Sequence, residues 1–326
     1  MTEGTIPPRE IRRTWTSRSV GSRLQHQGFH LLLKIGGLPA AYALLYMVIA
    51  WYTFFRPSVR RRGAPYLSRR FPNRSLAGRL SDSYRHMLAL GMALVDRAAV
   101  GLLPPGTITA TLHEREALLD LLREGRGLIL LTAHVGSWQA VMPALSLLNT
   151  PVNLLIQKEE GDVDQHYFEL RGEACPFRII DPRGYLGGAI EMVSALKRGE
   201  VLSIMGDRVF GEARGVLPID FLGAPAPFPT GPFKIAAATG APIAVLFSVK
   251  TGPAAYRMLF AGVLRVPEHA GRGTQGYRPY AEAFVRLLEA CVQDHPFQFF
   301  NFYDMWAPTG DSDHPAKVPR HRHRNE

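Results

Sequence analysis

Residues 35–55 read IGGLPAAYALLYMVIAWYTFF, a run of 21 residues without a formal charge. A helix needs about 20 apolar residues to cross a bilayer core. This run is therefore either a membrane helix or the buried helix of a large soluble core. Tyr42, Tyr46, Trp51 and Tyr52 lie in it, and those near its ends suit the headgroup level. Gly36, Gly37 and Pro39 weaken its first turns. Both flanks are basic, with Arg9, Arg12, Arg13, Arg18, Arg23 and Lys34 before it and Arg56, Arg60, Arg61, Arg62, Arg69 and Arg70 after it. Charge on both sides leaves the orientation open. The run starts late and no A-x-A site follows it, so a membrane anchor over 29–62 is expected rather than a cleaved signal peptide. Residues 1–28 are expected to be a mobile basic N-terminus.

Lys plus Arg outnumber Asp plus Glu by 38 to 28, a net charge of +10. That excess calls for a polyanionic partner. The arginines are not interleaved with aromatics as in a nucleic-acid groove, so an anionic membrane surface is expected and nucleic acid is not. Two cysteines, Cys175 and Cys291, make neither a disulfide framework nor a CxxC zinc site. No metal is expected.

Apolar residues at helical spacing predict helices over 82–98, 114–124 and 277–292. Short apolar runs predict strands at 127–133, 152–156, 177–180, 201–205 and 217–221, and a strand pair at 242–250 and 256–263. Helices are expected at 138–148, capped by Ser137, at 161–172, at 185–198, and at 231–239, stopped by Gly240. This alternation predicts an α/β fold, a mostly parallel central sheet flanked by helices, with an N-terminal membrane-anchoring helix. Residues 63–308 form the domain, and 309–326 are a mobile basic tail.

Ligands of open α/β sheets collect at the carboxyl ends of strands. Two strand ends here carry polar residues. The segment Thr132 to Gln139, TAHVGSWQ, sets His134 just past a buried strand and before a glycine turn. A lone histidine is more often structural than catalytic, so position alone leaves both roles open. Gly206-Asp207-Arg208, with Arg214 nearby, ends the second strand. Such an Asp-Arg pair is usually a structural ion pair, and its functional reading is substrate binding. The segment 221–232, FLGAPAPFPTGP, is too apolar and Pro-rich for a solvent loop. It is either a rigid connector or one wall of an apolar channel. The channel reading makes Phe228, Pro229 and Gly231 candidate substrate contacts, with Trp138. No GxxxxGK[ST] loop, HExxH, G-x-S-x-G elbow or dinucleotide-binding GxGxxG is present.

TAHVGSWQ resembles the His-x4-acid motif of bacterial lipid A biosynthesis acyltransferases, the lauroyl and myristoyl transferase type, which are lysophospholipid acyltransferase-like. GDR and FLGAPAPFPTGPFKIAAATGAPI are similar to that family's second block. HPFQFFNFYDMW (295–306) resembles its C-terminal block, and GLPAAYALLYMVIAWYTFFRP its membrane anchor. The order and spacing of these segments, from about residue 30 to 308, carry the resemblance.

The resemblance implies a membrane-associated acyltransferase. It would move a fatty acyl chain from acyl carrier protein, or acyl-CoA, to a hydroxyl of a lipid acceptor. It would sit in the cell inner membrane with the catalytic domain facing the cytoplasm, and use no cofactor. His134 is the implied general base. The family's acid position holds Gln139 here, which accepts a hydrogen bond but brings no charge. Asp207 is the expected substitute acid, and Arg208 either binds an acceptor phosphate or pairs with Asp207. Two alternatives stand beside this reading. One is a catalytically weak or inactive relative acting as a lipid or acyl-carrier-binding scaffold, and the other is a lipid hydrolase using the same pocket.

Overall fold

The computed structural model describes residues 23–157, 177–209, 215–268, 270 and 273–307. The expected helix at 161–172, Arg214, Cys175 and the tail 309–326 lie outside the described residues. So does most of the expected N-terminal segment.

Helix α1, Arg23–Phe55, contains the charge-free run and bends at Gly37, whose φ of 65° no ordinary helix residue adopts. Its stretch Gln27–Phe55 is long and apolar enough to cross a membrane. One face packs inward through Leu33, Leu38, Ala41, Tyr42 and Leu45. The other leaves Leu31, Ile35, Met47, Trp51, Phe54 and Phe55 exposed. A buried core helix would cover both faces, so the exposed apolar face makes α1 a candidate membrane anchor. Helices α2, Pro57–Arg70, and α3, Leu76–Leu102, follow. The anchor lies close against α3, because a Cβ at Gly91 would stand 2.8 Å from Leu45.

The body is an α/β layer structure. Its strands are β1 (Thr109–Leu112), β2 (Leu128–Thr132), β3 (Val152–Leu155), β4 (Arg178–Ile180), β5 (Val201–Met205), β8 (Ile243–Gly252) and β9 (Ala255–Leu264). They form one seven-stranded sheet in the order β1-β9-β8-β2-β5-β3-β4. Strands β8, β2, β5, β3 and β4 run parallel, while β9 turns back against β8 and pairs in parallel with β1. The mostly parallel sheet is therefore as expected. The helices α4 (Arg115–Arg123), α5 (Trp138–Leu145), α6 (Ala189–Lys197), α7 (Gly231–Thr239) and α8 (Arg278–Asp294) flank it. One apolar core joins β2, β5 and β8 to α7 and α8, and a second joins the other face to α4 and α5. Burial on both faces explains why the parallel strands read as unbroken apolar runs.

Strands β6, Val216–Phe221, and β7, Ala224–Pro229, form a separate antiparallel ribbon. The Pro-rich segment is thus mostly a strand of a hairpin, running on into the start of α7, rather than a solvent loop. Ala226 and Phe228 point into the core while Pro225, Pro227 and Pro229 take the alternate positions. A two-stranded ribbon tolerates these prolines because its outer N–H groups need no partner strand. The expected helix at 185–198 also differs. Leu186, Gly187 and Gly188 all have positive φ, so Tyr185–Gly188 is a 3-10 turn and the α-helix begins at Ala189.

Candidate active site

His134 lies two residues past β2, and Asp207 two residues past β5. These strands are neighbours, with Thr132 opposite Met205. The two side chains therefore emerge side by side at the carboxyl edge. His134 Nδ1 is 2.8 Å from Asp207 Oδ1 and 3.0 Å from Oδ2. The His134 backbone N–H also donates to Asp207 Oδ2, at 3.2 Å. An ionised carboxylate only accepts, so Nδ1 carries the ring proton and Nε2 presents its lone pair. The imidazole is 21% exposed and the carboxylate 1%. One end of the pair thus meets the outside while the other is held within the protein.

Burial lowers the His134 pKa from its ordinary 6.5, and the Arg208 charge lowers it further, against the opposing pull of Asp207. For Asp207 burial works upward, but the His134 and Arg208 charges and its hydrogen bonds hold it below the usual carboxylate range. Near neutral pH the pair is thus a neutral imidazole beside a carboxylate, the form a general base requires.

The turn that carries His134 is braced from two sides. Gly136 has a φ of 58°, and a Cβ there would stand 1.8 Å from the backbone oxygen of Ser248 in β8. Only glycine fits this approach. Ser137 caps α5 by accepting from the Ala140 N–H, as expected. From the other side comes the C-terminal segment 296–301. Gly136 donates to Gln298 O at 2.7 Å, and the Phe300 N–H donates to His134 O at 2.7 Å. The Phe299 carbonyl accepts from buried His86 Nε2 at 2.8 Å. Burial holds His86 down at about 4, so it stays neutral. Arg208, itself buried, donates to Phe300 O at 2.7 Å and lies over the Tyr303 ring. This bracing role had no signal in periodicity, because the segment HPFQFFNFYDMW forms neither helix nor strand.

The other candidates fall in different places. Gln139 makes no hydrogen bond to His134. Its Oε1 is buried with no partner among the described residues, and Asp207 occupies the orienting position. Trp138 opens α5 beside the turn. Phe228 is buried in the main core against Phe221 and Phe284. Pro229 ends β7 and Gly231 begins α7.

Between the anchor and this turn lies an apolar cleft of about 450 Å³, lined in part by Tyr46, Met92, Gly136, Pro253, Phe297 and Phe300. A buried polar knot closes one wall. Lys250 Nζ contacts Asp96 Oδ2 at 2.6 Å, Tyr42 Oη at 2.9 Å and Pro253 O at 2.7 Å. The Tyr42 and Tyr256 hydroxyls both donate to Asp96. Among the described residues no three His, Cys, Asp or Glu side chains gather to hold a metal.

A search of curated proteins finds no significant match to the chain. The sequence model of the family described as bacterial lipid A biosynthesis acyltransferase matches residues 15–307. That span covers α1, the sheet, the His134–Asp207 pair and the bracing segment. The chain belongs to the bacterial lipid A biosynthesis acyltransferase family, whose general activity is acyl transfer.

Proposed function

We propose that the protein transfers a fatty acyl chain from acyl carrier protein, or acyl-CoA, to a hydroxyl of a membrane lipid, with His134 as general base. The observation that carries this reading is the contact of His134 with the buried carboxylate of Asp207 at the carboxyl edge of the sheet. An alcohol is a weak nucleophile near neutral pH. His134 Nε2 takes the acceptor's proton as its oxygen attacks the thioester carbonyl. The C–O bond forms, the tetrahedral intermediate collapses, and the C–S bond breaks. The departing thiolate takes the proton back from the imidazolium. Asp207 holds the ring in the productive tautomer and stabilises its charged form, as a buried carboxylate does in the protease triad. The carboxylate absent from position 139 is thus supplied from another strand, which favours an active enzyme over a scaffold.

The apolar cleft beside Gly136 suits an alkyl chain. Arg208 braces the pair through Phe300, and Arg214 is assigned to the acceptor phosphate or the acidic carrier. The anchor and the basic balance favour the inner membrane, with the site on the cytoplasmic side, where acyl carrier protein is made. Detergent-purified protein, labelled acyl carrier protein and a lipid extract test the reading. A labelled acylated lipid is expected, and His134→Ala lowers its rate by about 10² or more. Free fatty acid alone would point to a hydrolase. Unchanged transfer by His134→Ala would overturn the assignment.

A further inference from the structure

The carboxyl end of β4 carries a second apolar surface. Immediately after Ile180 the chain runs Asp181-Pro182-Arg183-Gly184-Tyr185-Leu186, then turns into α6. Tyr185 is 75% exposed, Leu186 66% and Ile190 54%. Leu186 also has a φ of 50°, a left-handed conformation that leucine adopts at a cost. Here the strain is not offset by burial. The backbone is pinned from behind, because a Cβ at Gly188 would stand 2.6 Å from Ile180. That close approach leaves Tyr185 and Leu186 on the outside. Strain of this kind clusters at functional sites.

We infer that this tip is a second membrane contact, whose occupant is the lipid bilayer. The sheet order supports the bilayer over a protein partner. Strands β8, β2, β5, β3 and β4 all present their carboxyl ends on one edge. At the β8 end of that edge, Tyr42 of the anchor meets Pro253 of the β8–β9 turn, with its hydroxyl 2.7 Å from the Pro253 carbonyl oxygen. At the β4 end stands the Tyr185–Leu186 tip. His134 lies between them, roughly three strand spacings or about 14 Å from the β4 end. A surface that meets lipid at the anchor side of this edge meets it again at the tip. Tyr185, with Arg183 at its base, is of the residue types found at the headgroup layer, and Leu186 suits the acyl boundary just below. The cation here, Arg183, is already neutralised by Asp181, its Nη2 2.8 Å from Oδ2, so the tip offers an acidic carrier protein little charge and offers lipid an apolar face.

The inference rests on α1 lying in the bilayer and not on acyl transfer. Its test is tryptophan quenching by brominated phospholipid, with the full chain in phosphatidylethanolamine–phosphatidylglycerol vesicles. The four native tryptophans, with Trp51 exposed on α1 among them, give the background emission, and each added tryptophan is read as the difference from it. Leu186→Trp reports the tip. Leu147→Trp is the control, an exposed position just before β3 and so at the opposite edge. Brominated lipid is expected to quench the emission added at position 186 and to leave that added at 147. The proposal is overturned if the two respond alike, or if the emission at 186 remains open to aqueous acrylamide in vesicles. Shielding at 186 that follows protein concentration instead of lipid would assign the tip to self-association. A second arm uses Tyr185→Ser, Leu186→Ser and Ile190→Ser combined. It should lower transfer to a vesicle-embedded acceptor by about tenfold while preserving transfer to a detergent-dispersed one. Equal loss on both substrates would mean the tip serves the fold. Because quenching requires no turnover, its failure is distinct from failure of the acyltransferase reading.

Discussion

Replacing Gly136 by alanine adds one methyl group to the turn that carries His134. Built on the present backbone, its carbon stands 1.8 Å from Ser248 O and 2.9 Å from Ser248 C, where real contacts hardly fall below 3.0 Å. A gap of at least about 1.2 Å must open between two pieces of backbone, since neither can swing aside as a side chain would. Ser248 lies inside β8, paired with Met258 of β9, and its hydroxyl already donates to Ser137 O at 2.8 Å. The turn therefore moves. Left-handed backbone costs an alanine about 1 kcal/mol, and overpacking adds about 1–3 kcal/mol. The sum, about 2–4 kcal/mol, lowers the melting temperature by roughly 3–6 °C in a chain of this size. A displacement near 1 Å at a catalytic group costs about 10² in rate. Thermal melting in detergent and acyl-transfer kinetics should thus fall together, the latter mainly in kcat. A variant that melts within about a degree of the parent and turns over within about twofold would refute the claim that this approach sets the position of His134.

Three further predictions follow from the same geometry. Asp207→Asn should lower turnover by about 10⁴, as the equivalent change does in the protease triad. It also removes the charge that raises the His134 pKa, so the acid limb of the rate–pH profile should move to lower pH; a shift upward would count against the pairing. Gln139→Leu should keep activity within a few-fold and leave stability equal or slightly higher, because it removes a buried oxygen that has no partner; Gln139→Glu should destabilise, both read by melting and turnover. Lys250→Met leaves fully buried Asp96 without its cation and should cost about 3–5 kcal/mol in equilibrium unfolding, with Asp96→Asn in the same chain recovering part of the loss.

Much of the sheet was legible because burial on both faces writes parallel strands as apolar runs. Strand 201–205 matches the expected limits, as does helix 231–239 with its Gly240 stop at a φ of 70°. The pairing of His134 with Asp207 was legible only as a shared sheet edge. Their contact depends on β5 lying between β2 and β3, an insertion that chain order does not dictate. Helix α2 went unread because its RRR run and Pro65 hide its pattern, although Pro57 is well placed in the first turn, where its missing N–H costs nothing. Strand β1 is only four residues, TATL, too short to stand out, and the proline-rich β7, APAPFP, lacks the β-rich composition that marks a strand. The segment after α8 works through backbone hydrogen bonds to the His134 turn, and such bonds leave no trace in side-chain patterning.

The knot of Tyr42, Asp96, Lys250 and Tyr256 means that the anchor is a mount and not a tether. A catalytic body on a loose stalk samples many heights above a bilayer. Here a tyrosine of the anchor is fastened to a fully buried carboxylate of α3, and the same lysine ammonium grips the turn at the end of β8. With α1 seated in a bilayer, as proposed, the altitude of the His134 edge would be fixed by how deeply α1 sits. In the proposed acyltransferase, lipids whose hydroxyl protrudes to that level would meet His134, and those whose hydroxyl lies shallower or deeper would not. On the proposed reading bilayer thickness becomes a control on acceptor choice, acting beside any charge that meets the acceptor's phosphate.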